Sequence, residues 1–498
     1  MKKITVTDII NVENIKKWES GDTIVISAGT GKGKSHFIKN RLAAFANTND
    51  KKILFLIHRS RTVDQFRAEI KSEGKEHIID VKTYQSIEAK LKRGANVDLS
   101  EYAYIVSDEF HYFLSDSAFN KFTDLSLRGI LGATNAVKLF MSATGDDTLK
   151  YIENIEGVKV KERYSVEGNY DYINSIKFYN NHDTVKGLMQ EWCRTGEKAI
   201  IFIQSAEKAY ELYKEFKDFS IFNCSKSNPL FATVDEDEID EILYKERFES
   251  QFLITTTAMD AGVNIIDTEL HNIVVDVKNT SSLIQCVGRK RIQNSNDTVN
   301  LYVKNIGGSE IELIKGRLTK RKKMAQFLKN NGEDAFLNEY YREFDTSGLI
   351  YVDKDENGNN VFNVNRLMYL KTNLTMMELD LIKRLGENGY AKYIMNKFSK
   401  KDKISYVEIE EKEATIEDYL EKLLNDEVIM FTDEEKNELI NTLNIKNNGR
   451  IVKNRKTLNF HLEEEFKLPY RIEKTRKTKT IDGKRKNFSS CWYIVKIG

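Results

Sequence analysis

TIVISAGTGKGKS, residues 23–35, is the stretch on which the reading of this chain turns. Four β-branched residues, Thr23, Ile24, Val25 and Ile26, run through Ser27 into a glycine-rich turn. Behind the turn, Phe37, Ile38, Leu42 and Phe45 recur at helical spacing. Strand, glycine turn and helix form the setting of a phosphate-binding loop. Gly29, Gly31 and Gly33 permit dihedrals and close approaches that a side chain would block, so backbone N–H groups can point at phosphate oxygens. The loop Gly29-Thr30-Gly31-Lys32-Gly33-Lys34-Ser35 is therefore the candidate nucleotide-binding segment. The helix that starts near Gly33 adds its positive end. Lys34 supplies a point charge for the outer phosphates, and the Ser35 hydroxyl is placed to ligate Mg²⁺. Ala28 stands where the general pattern has its first glycine.

At 498 residues the chain is too long for one core, and about three domains are expected. An apolar content of 40% supports folded domains. No stretch approaches the ~20 uninterrupted apolar residues of a membrane span. The segment MKKITVTDIINVENIKKW lacks the apolar core of a signal peptide, so a cytoplasmic location is expected. Cys193, Cys224, Cys286 and Cys491 lie far apart with no CxxC pair, which indicates neither a zinc site nor a disulfide framework. The net charge of +1 is unevenly spread. Residues 441–498 carry ten Lys and five Arg against four Glu and one Asp, a surplus of +10 that leaves −9 for the rest. Such an end suits either a polyanion or plain solvation.

Downstream of the loop, apolar runs end repeatedly in polar or basic residues. Residues 53–57 (ILFLI) lead into His58-Arg59-Ser60, and residues 77–81 lead into Lys82-Thr83-Tyr84. That is the pattern of an open α/β sheet, whose ligands bind at the C-terminal strand ends. Residues 102–107 (YAYIVS) deliver Asp108-Glu109-Phe110-His111 to the same edge. A carboxylate at the end of a strand next to the loop can hold the Mg²⁺ that bridges the outer phosphates, and a second one can orient and deprotonate water. Asp108 is assigned to the metal and Glu109 to the water. The strand at 136–141 ends in Ser142-Ala143-Thr144, small residues suited to coupling the nucleotide site to a partner surface.

The segments Ala28–Ser35 and Asp108-Glu109-Phe110-His111, together with Ser142-Ala143-Thr144, resemble motifs I, II and III of the DExH branch of superfamily 2 helicases, in a phage- or plasmid-type form. The family's motif I commonly begins with alanine, which accounts for Ala28. The resemblance continues over residues 20–305. Gln204-Ser205 after the strand at 198–203 resembles motif IV, residues 256–264 (TTAMDAGVN) resemble motif V, and Gln285-Cys286-Val287-Gly288-Arg289-Lys290-Arg291 resembles motif VI. The resemblance implies a nucleotide sandwiched between two RecA-like domains. The first contributes the loop and the metal acid. The second contributes an arginine that stabilises charge on the transferring phosphoryl group. Arg289 is expected to be that finger, with Gln285 beside the nucleotide or its water, and Asp260 and Gly262 at the nucleotide. Many members carry a second arginine three residues after the first; here Ile292 stands there and Arg291 comes one earlier, so Arg291 is given a secondary part. The resemblance further implies that Arg59, Thr83, Ser205 and Thr256 grip one strand's phosphate backbone, although each also suits a turn cap or surface position.

The expected fold is α/β: two tandem RecA-like doubly wound parallel sheets (1–167 and 168–305), a helical and hairpin accessory region (306–404), and a basic α+β domain of winged-helix type (405–498). In the accessory region, the basic run 315–323 either lines a nucleic-acid channel or is a solvated helix face. Asp355-Glu356-Asn357-Gly358 and Ile481-Asp482-Gly483 signal hairpins. The tip residues Lys477, Lys479, Lys484, Arg485 and Lys486 are positioned to meet phosphates. The expected function is an ATP- and Mg²⁺-dependent helicase or translocase tracking along single-stranded or duplex DNA, with replication, recombination or defence proteins as partners. Its rivals are an RNA helicase, a site-specific DNA-binding protein whose motor only remodels, and a duplex translocase serving a nuclease.

Overall fold

Near-continuous apolar runs such as Lys52–Ile57 and Val137–Ser142 suit strands covered on both faces, and both are buried almost throughout. The computed structural model describes residues 4–497 except 30, 59, 94–96, 119, 167, 169, 260–263, 295, 344–346, 355–356, 401–403, 408–415, 448–449, 467 and 482–483. The chain forms two compact units, Met1–Val407 and Glu408–Gly498.

The larger unit holds two parallel sheets. The first has strands β1 (Thr23–Ala28), β2 (Lys52–Ile57), β3 (Ile79–Thr83), β4 (Tyr102–Asp108), β5 (Val137–Ser142) and β6 (Glu162–Val166), in the order β3-β2-β4-β5-β1-β6. The second has β7 (Ile173–Tyr179), β8 (Lys198–Ile203), β9 (Ser220–Asn223), β10 (Phe252–Thr255), β11 (Leu270–Asp276) and β12 (Val299–Lys304), with order β7-β12-β11-β8-β10-β9. These are two doubly wound RecA-like sheets. The two-residue strand Ser405–Tyr406 extends the second sheet beside β7. One expectation is corrected: β4 does not lie next to the loop strand. β5 stands between β1 and β4, pairing Ser142 with Ser27 and Met141 with Asp108. β6 and β7 are additions to the strands expected from sequence. The residues of β6 alternate half-buried and exposed along the sheet edge, so no apolar run marks the strand.

Residues 306–407 join the two lobes. A helix over Gly308–Tyr340, interrupted at Gly332, is followed by a hairpin of β13 (Ile350–Lys354) and β14 (Asn360–Val364) and by the helix Arg366–Arg384. The first half of that last helix packs Leu367, Leu370 and Leu374 into the first lobe's core. Its second half sends Leu379 and Ile382 into the core of the second lobe, beside residues of the helix Gly389–Lys397. Polar contacts repeat the pattern: Lys371 Nζ donates to Ser115 O at 2.7 Å, and Thr280 Oγ1 donates to Glu378 Oε1 at 2.7 Å. At 1.5 Å per residue, 19 residues span about 28 Å, enough to reach both lobes with one rigid rod. Two cations of the basic run are already paired, Lys315 with Asp380 at 2.5 Å and Lys320 with Glu343 at 2.8 Å.

The smaller unit contains helices Ile416–Asn425, Asp433–Leu443 and Arg455–Phe460, the last continuing as a π-helical turn, and ends in a hairpin of two long strands, Tyr470–Ile481 and Lys484–Lys496. Thr432 caps the second helix: its Oγ1 accepts from Glu435 N at 3.2 Å, while Glu435 accepts from Thr432 N at 2.8 Å. Met430 makes an antiparallel bridge to Trp492. Leu420, Leu439, Leu458, Ile472 and Ile494 form the core.

All four cysteines are free. Among the described residues, no helix is long and apolar enough to cross a membrane. Leu367 is fully buried in the first lobe's core. Leu367→Ala should therefore cost about 2–5 kcal/mol in denaturant unfolding. A loss below about 1 kcal/mol would show that the helix only rests on that lobe.

Candidate nucleotide site

Parallel strands gather their C-terminal ends at one edge, and this edge carries the candidate chemistry. β1 runs into the glycine loop, where Gly31 (φ 73°) and Gly33 (φ 77°) take left-handed dihedrals that glycine adopts without a Cβ penalty. Gly33 then caps the turn Lys34–His36, which passes into a π-helical segment over Phe37–Leu42. Lys34 is buried, and its Nζ donates to Ala28 O at 3.0 Å while lying 3.2 Å from Glu109 Oε1. Ser35 follows, half-buried.

Glu109 holds a left-handed backbone (φ 48°), a conformation that costs a non-glycine residue about 1–3 kcal/mol. There its carboxylate meets three groups. Besides Lys34, Ser142 Oγ donates to Oε2 at 3.2 Å, and His111 Nδ1 lies 3.3 Å from the same oxygen and 2.9 Å from Ser142 Oγ. Burial alone would raise the Glu109 carboxyl; Lys34, His111 and Arg289 outweigh it and hold the group well below the usual carboxylate range. Asp108 goes the other way. Burial, then the charge of Glu109, push it upward, and its Oδ1 is buried with no hydrogen-bond partner among the described residues. A buried carboxylate oxygen lacking a hydrogen-bond partner among the described residues has the chemistry of a hard-cation ligand.

The second lobe reaches this edge through the helix Thr280–Val287 and the segment after it. Gln285 Nε2 donates to Thr144 Oγ1 at 3.4 Å, a direct bond between the lobes. Arg289 is buried; its Nη2 donates to Gln285 Oε1 at 2.8 Å and its Nε to Gln285 O at 3.0 Å. Arg291 stands at the loop itself: a Cβ placed on Gly31 would lie 3.1 Å from Arg291 Nη1. Its Nε donates to Asn264 Oδ1 at 2.7 Å, and Asn264 Nδ2 donates to Glu246 Oε1 at 2.8 Å. Burial, then the charge of Arg289, lower the Arg291 guanidinium to about 10. One buried and one half-buried guanidinium that repel each other would be stabilised by an added anion.

The structure thus brings together Gly29, Gly31, Lys32, Gly33, Lys34, Ser35, Asp108, Glu109, Gln285, Arg289 and Arg291. Thr30, Arg59, Asp260 and Gly262 lie outside the described residues. Thr83 and Ser205 act as helix caps, accepting from Ser86 N at 3.1 Å and Lys208 N at 3.3 Å, and Thr256 is buried after β10.

Three contributions are not apparent from sequence motifs. Residues 4–10 lie on the loop, with Val6 N donating to Lys32 O at 2.9 Å and Arg41 Nη1 donating to Ile10 O at 2.8 Å. A local signal does exist there: Thr5 and Asp8 form a capping box, and Asn11 and Asn14 form another. His111 joins Glu109 to Ser142. Lys290, between the two arginines, is fully buried and paired with Asp297 at 2.7 Å, next to a second buried pair, Lys198–Asp267, at 2.7 Å. Removing one partner of such a pair typically costs about 3–5 kcal/mol, so these bonds fix the segment that carries both arginines.

Residues 4–147 match the family profile described as "Type III restriction enzyme, res subunit", and residues 182–293 match "Helicase conserved C-terminal domain". Among curated proteins, none matches the chain in sequence. Similar solved structures include S. cerevisiae Dbp5 bound to RNA and ADP BeF3, at 15% identity and TM-score 0.44, covering 60% of this chain and 83% of that one. Another is the DEAD-box helicase Mss116 bound to ssRNA and UDP-BeF, at 16% identity and TM-score 0.46, with 65% and 72% covered. A DEAD box protein from Methanococcus jannaschii is similar at 17% identity and TM-score 0.34, with 60% and 86% covered. At such scores these likenesses add nothing to the fold read from the two sheets. The two matched profiles fall in sequence order on the two lobes, and the chain carries the paired domains of a superfamily 2 helicase.

Proposed function

We propose that the protein is a DExH-type, nucleic-acid-stimulated ATPase that translocates along DNA or separates its strands. The observation that carries this reading is the meeting of Lys34 and Glu109 of one lobe with Arg289 and Arg291 of the other, in a buried cleft tied by the Gln285–Thr144 bond. A triphosphate adds anionic charge where these cations repel one another.

In the proposed cycle, the loop N–H groups and Lys34 bind the β- and γ-phosphates. Glu109, released from Lys34 by the phosphate, orients the attacking water and takes its proton. Arg289 and Arg291 stabilise the charge that builds on the γ-phosphoryl oxygens. Ser35 and Asp108 would hold Mg²⁺, which when bound would supply positive charge against the phosphates. Loss of phosphate then weakens the bonds between lobes, and the lobes shift their grip on one strand. Arg59, Thr83, Ser205 and Thr256 are the proposed backbone contacts. DNA is favoured over RNA by the basic α+β unit at the end of the chain, whose helix, bridge, helix, helix and hairpin follow the order of a winged helix.

Hydrolysis measured against single-stranded DNA, duplex DNA and RNA tests the substrate class; stronger stimulation by RNA than by either DNA would replace this reading with its rival. Lys34→Ala should abolish turnover, and normal ATPase activity in that variant would remove the phosphate-loop role. Glu109→Gln should bind ATP with nearly unchanged affinity and lose roughly 10²–10⁴-fold in kcat. Arg289→Ala should keep nucleotide affinity within a few-fold while kcat falls; a collapse of affinity with kcat preserved would make Arg289 a ground-state ligand.

A further inference from the structure

The hairpin of Tyr470–Ile481 and Lys484–Lys496 has two dissimilar halves. At its base the cations are satisfied: Arg471 makes a two-pronged bond to Glu463 at 2.7 Å on each arm, and Arg455 pairs with Glu473 at 3.3 Å. Tyr470, Ile472 and Ile494 anchor this half in the core. Between Thr475 and Lys477 the register shifts, because two residues, Ser489 and Ser490, oppose Arg476 alone. Beyond that bulge the composition changes. Residues 474–486 hold five Lys (474, 477, 479, 484, 486) and two Arg (476, 485) with one acid, Asp482. Among the described residues, Arg476, Lys477, Arg485 and Lys486 meet no carboxylate, and Lys479 lies only in the field of Glu435.

Two details show that this half is not simply solvated surface. Lys479 and Lys486 are direct cross-strand partners, an arrangement of like charges that weakens a hairpin. Both ammonium groups are held in place, Lys479 over the Phe431 ring at 4.8 Å and Lys486 over Phe488 at 5.5 Å, with Phe431 and Phe488 packed edge to face at 5.3 Å. Moreover, the charge is on both faces. Cross-strand partners share a face and successive residues alternate, so Lys477, Lys479 and Lys486 lie on one face, and Arg476 and Arg485 on the other. Among the described residues, no third strand covers this half.

We infer that the distal hairpin is a duplex-DNA arm, a two-stranded ribbon that enters a groove and meets phosphates on both walls. A single strand would engage one face and leave the other repelling itself. The major groove of B-form DNA, about 12 Å wide, admits a two-stranded ribbon between its phosphate walls, whereas that of A-form RNA is too deep and narrow. The contacts are to backbone and carry no sequence preference. The inference extends the motor reading by naming a duplex contact and depends on that reading only for the presence of nucleic acid.

The test uses the full chain without nucleotide, so a failure of the ATPase assignment leaves the result unaffected. Binding of a mixed-sequence DNA duplex, the matching single strand and the RNA duplex is measured by fluorescence anisotropy across a salt series. Lys477→Gln/Lys479→Gln/Arg485→Gln/Lys486→Gln should weaken duplex-DNA binding at least tenfold near 0.1 M salt. It should also lower the slope of log K against log salt by about 3.6, at roughly 0.9 for each of the phosphates that the four cations no longer neutralise. Single-strand affinity should change less than threefold. The charge-retaining pair Lys479→Arg/Lys486→Arg should bind duplex as the unaltered chain does, with both variants melting at the same temperature. Unchanged duplex affinity and slope in the quadruple variant would overturn the inference. So would an equal loss on the single strand or the RNA duplex, or an equal loss in the arginine pair.

Discussion

A buried lysine with too few anions around it is the constraint on which this molecule depends. Lys34 sits under the glycine loop and leans on a carbonyl and on Glu109; Arg289 and Arg291 converge on the same place from a different sheet. Glu109 acts on all three cations and Glu246 on Arg291 besides, while burial, and then the charge of Glu109, push the Asp108 carboxyl upward. Charges in a low-dielectric cleft repel strongly unless paired, so the arrangement is stable only because each cation is also hydrogen-bonded to carbonyl or amide oxygen. Such a cleft favours an added anion. Its field also explains why the arginines need rigid support, which the buried Lys290–Asp297 and Lys198–Asp267 pairs give.

The placement of β5 between the loop strand and the Asp108 strand has a chemical consequence. It sets Ser142 beside Glu109 and sends Thr144 toward the second lobe. A chain of polar contacts then runs from Glu109 through Ser142 and Thr144 to Gln285 and Arg289. Every link joins two discrete hydrogen-bonding groups, so the Glu109 carboxylate of one lobe is connected to Gln285 and Arg289 of the other.

Much of this is legible in the residues and some is not, for identifiable reasons. The loop, Asp108-Glu109 and Gln285–Arg291 announce themselves because each is a short, chemically specific string behind an apolar run. The parallel sheets follow from strands apolar on both faces. β7 lacks that signature, with polar Asn174, Ser175 and Lys177 interleaved among its apolar residues. The proximity of Arg291 to Gly31 is set by the turn after the helix Thr280–Val287, whose geometry depends on the local buried pair Lys290–Asp297 and on the pair Lys198–Asp267, distant in sequence. The same holds for Thr83 and Ser205, where one hydroxyl serves equally well as a cap. Amphipathic spacing in Arg366–Arg384 shows a helix with apolar residues to cover, but not that two different cores would cover them.

That helix changes what counts as the engine. The recognisable motifs stop near residue 305, yet Leu367 and Leu374 complete one lobe's interior, and Leu379, Ile382, Tyr390 and Ile394 complete the other's. A fragment cut where the motifs end would open both interiors to water at once, so residues 306–407 are scaffolding for the two lobes rather than an appendage. The rod is the axle on which any swing of the lobes must turn.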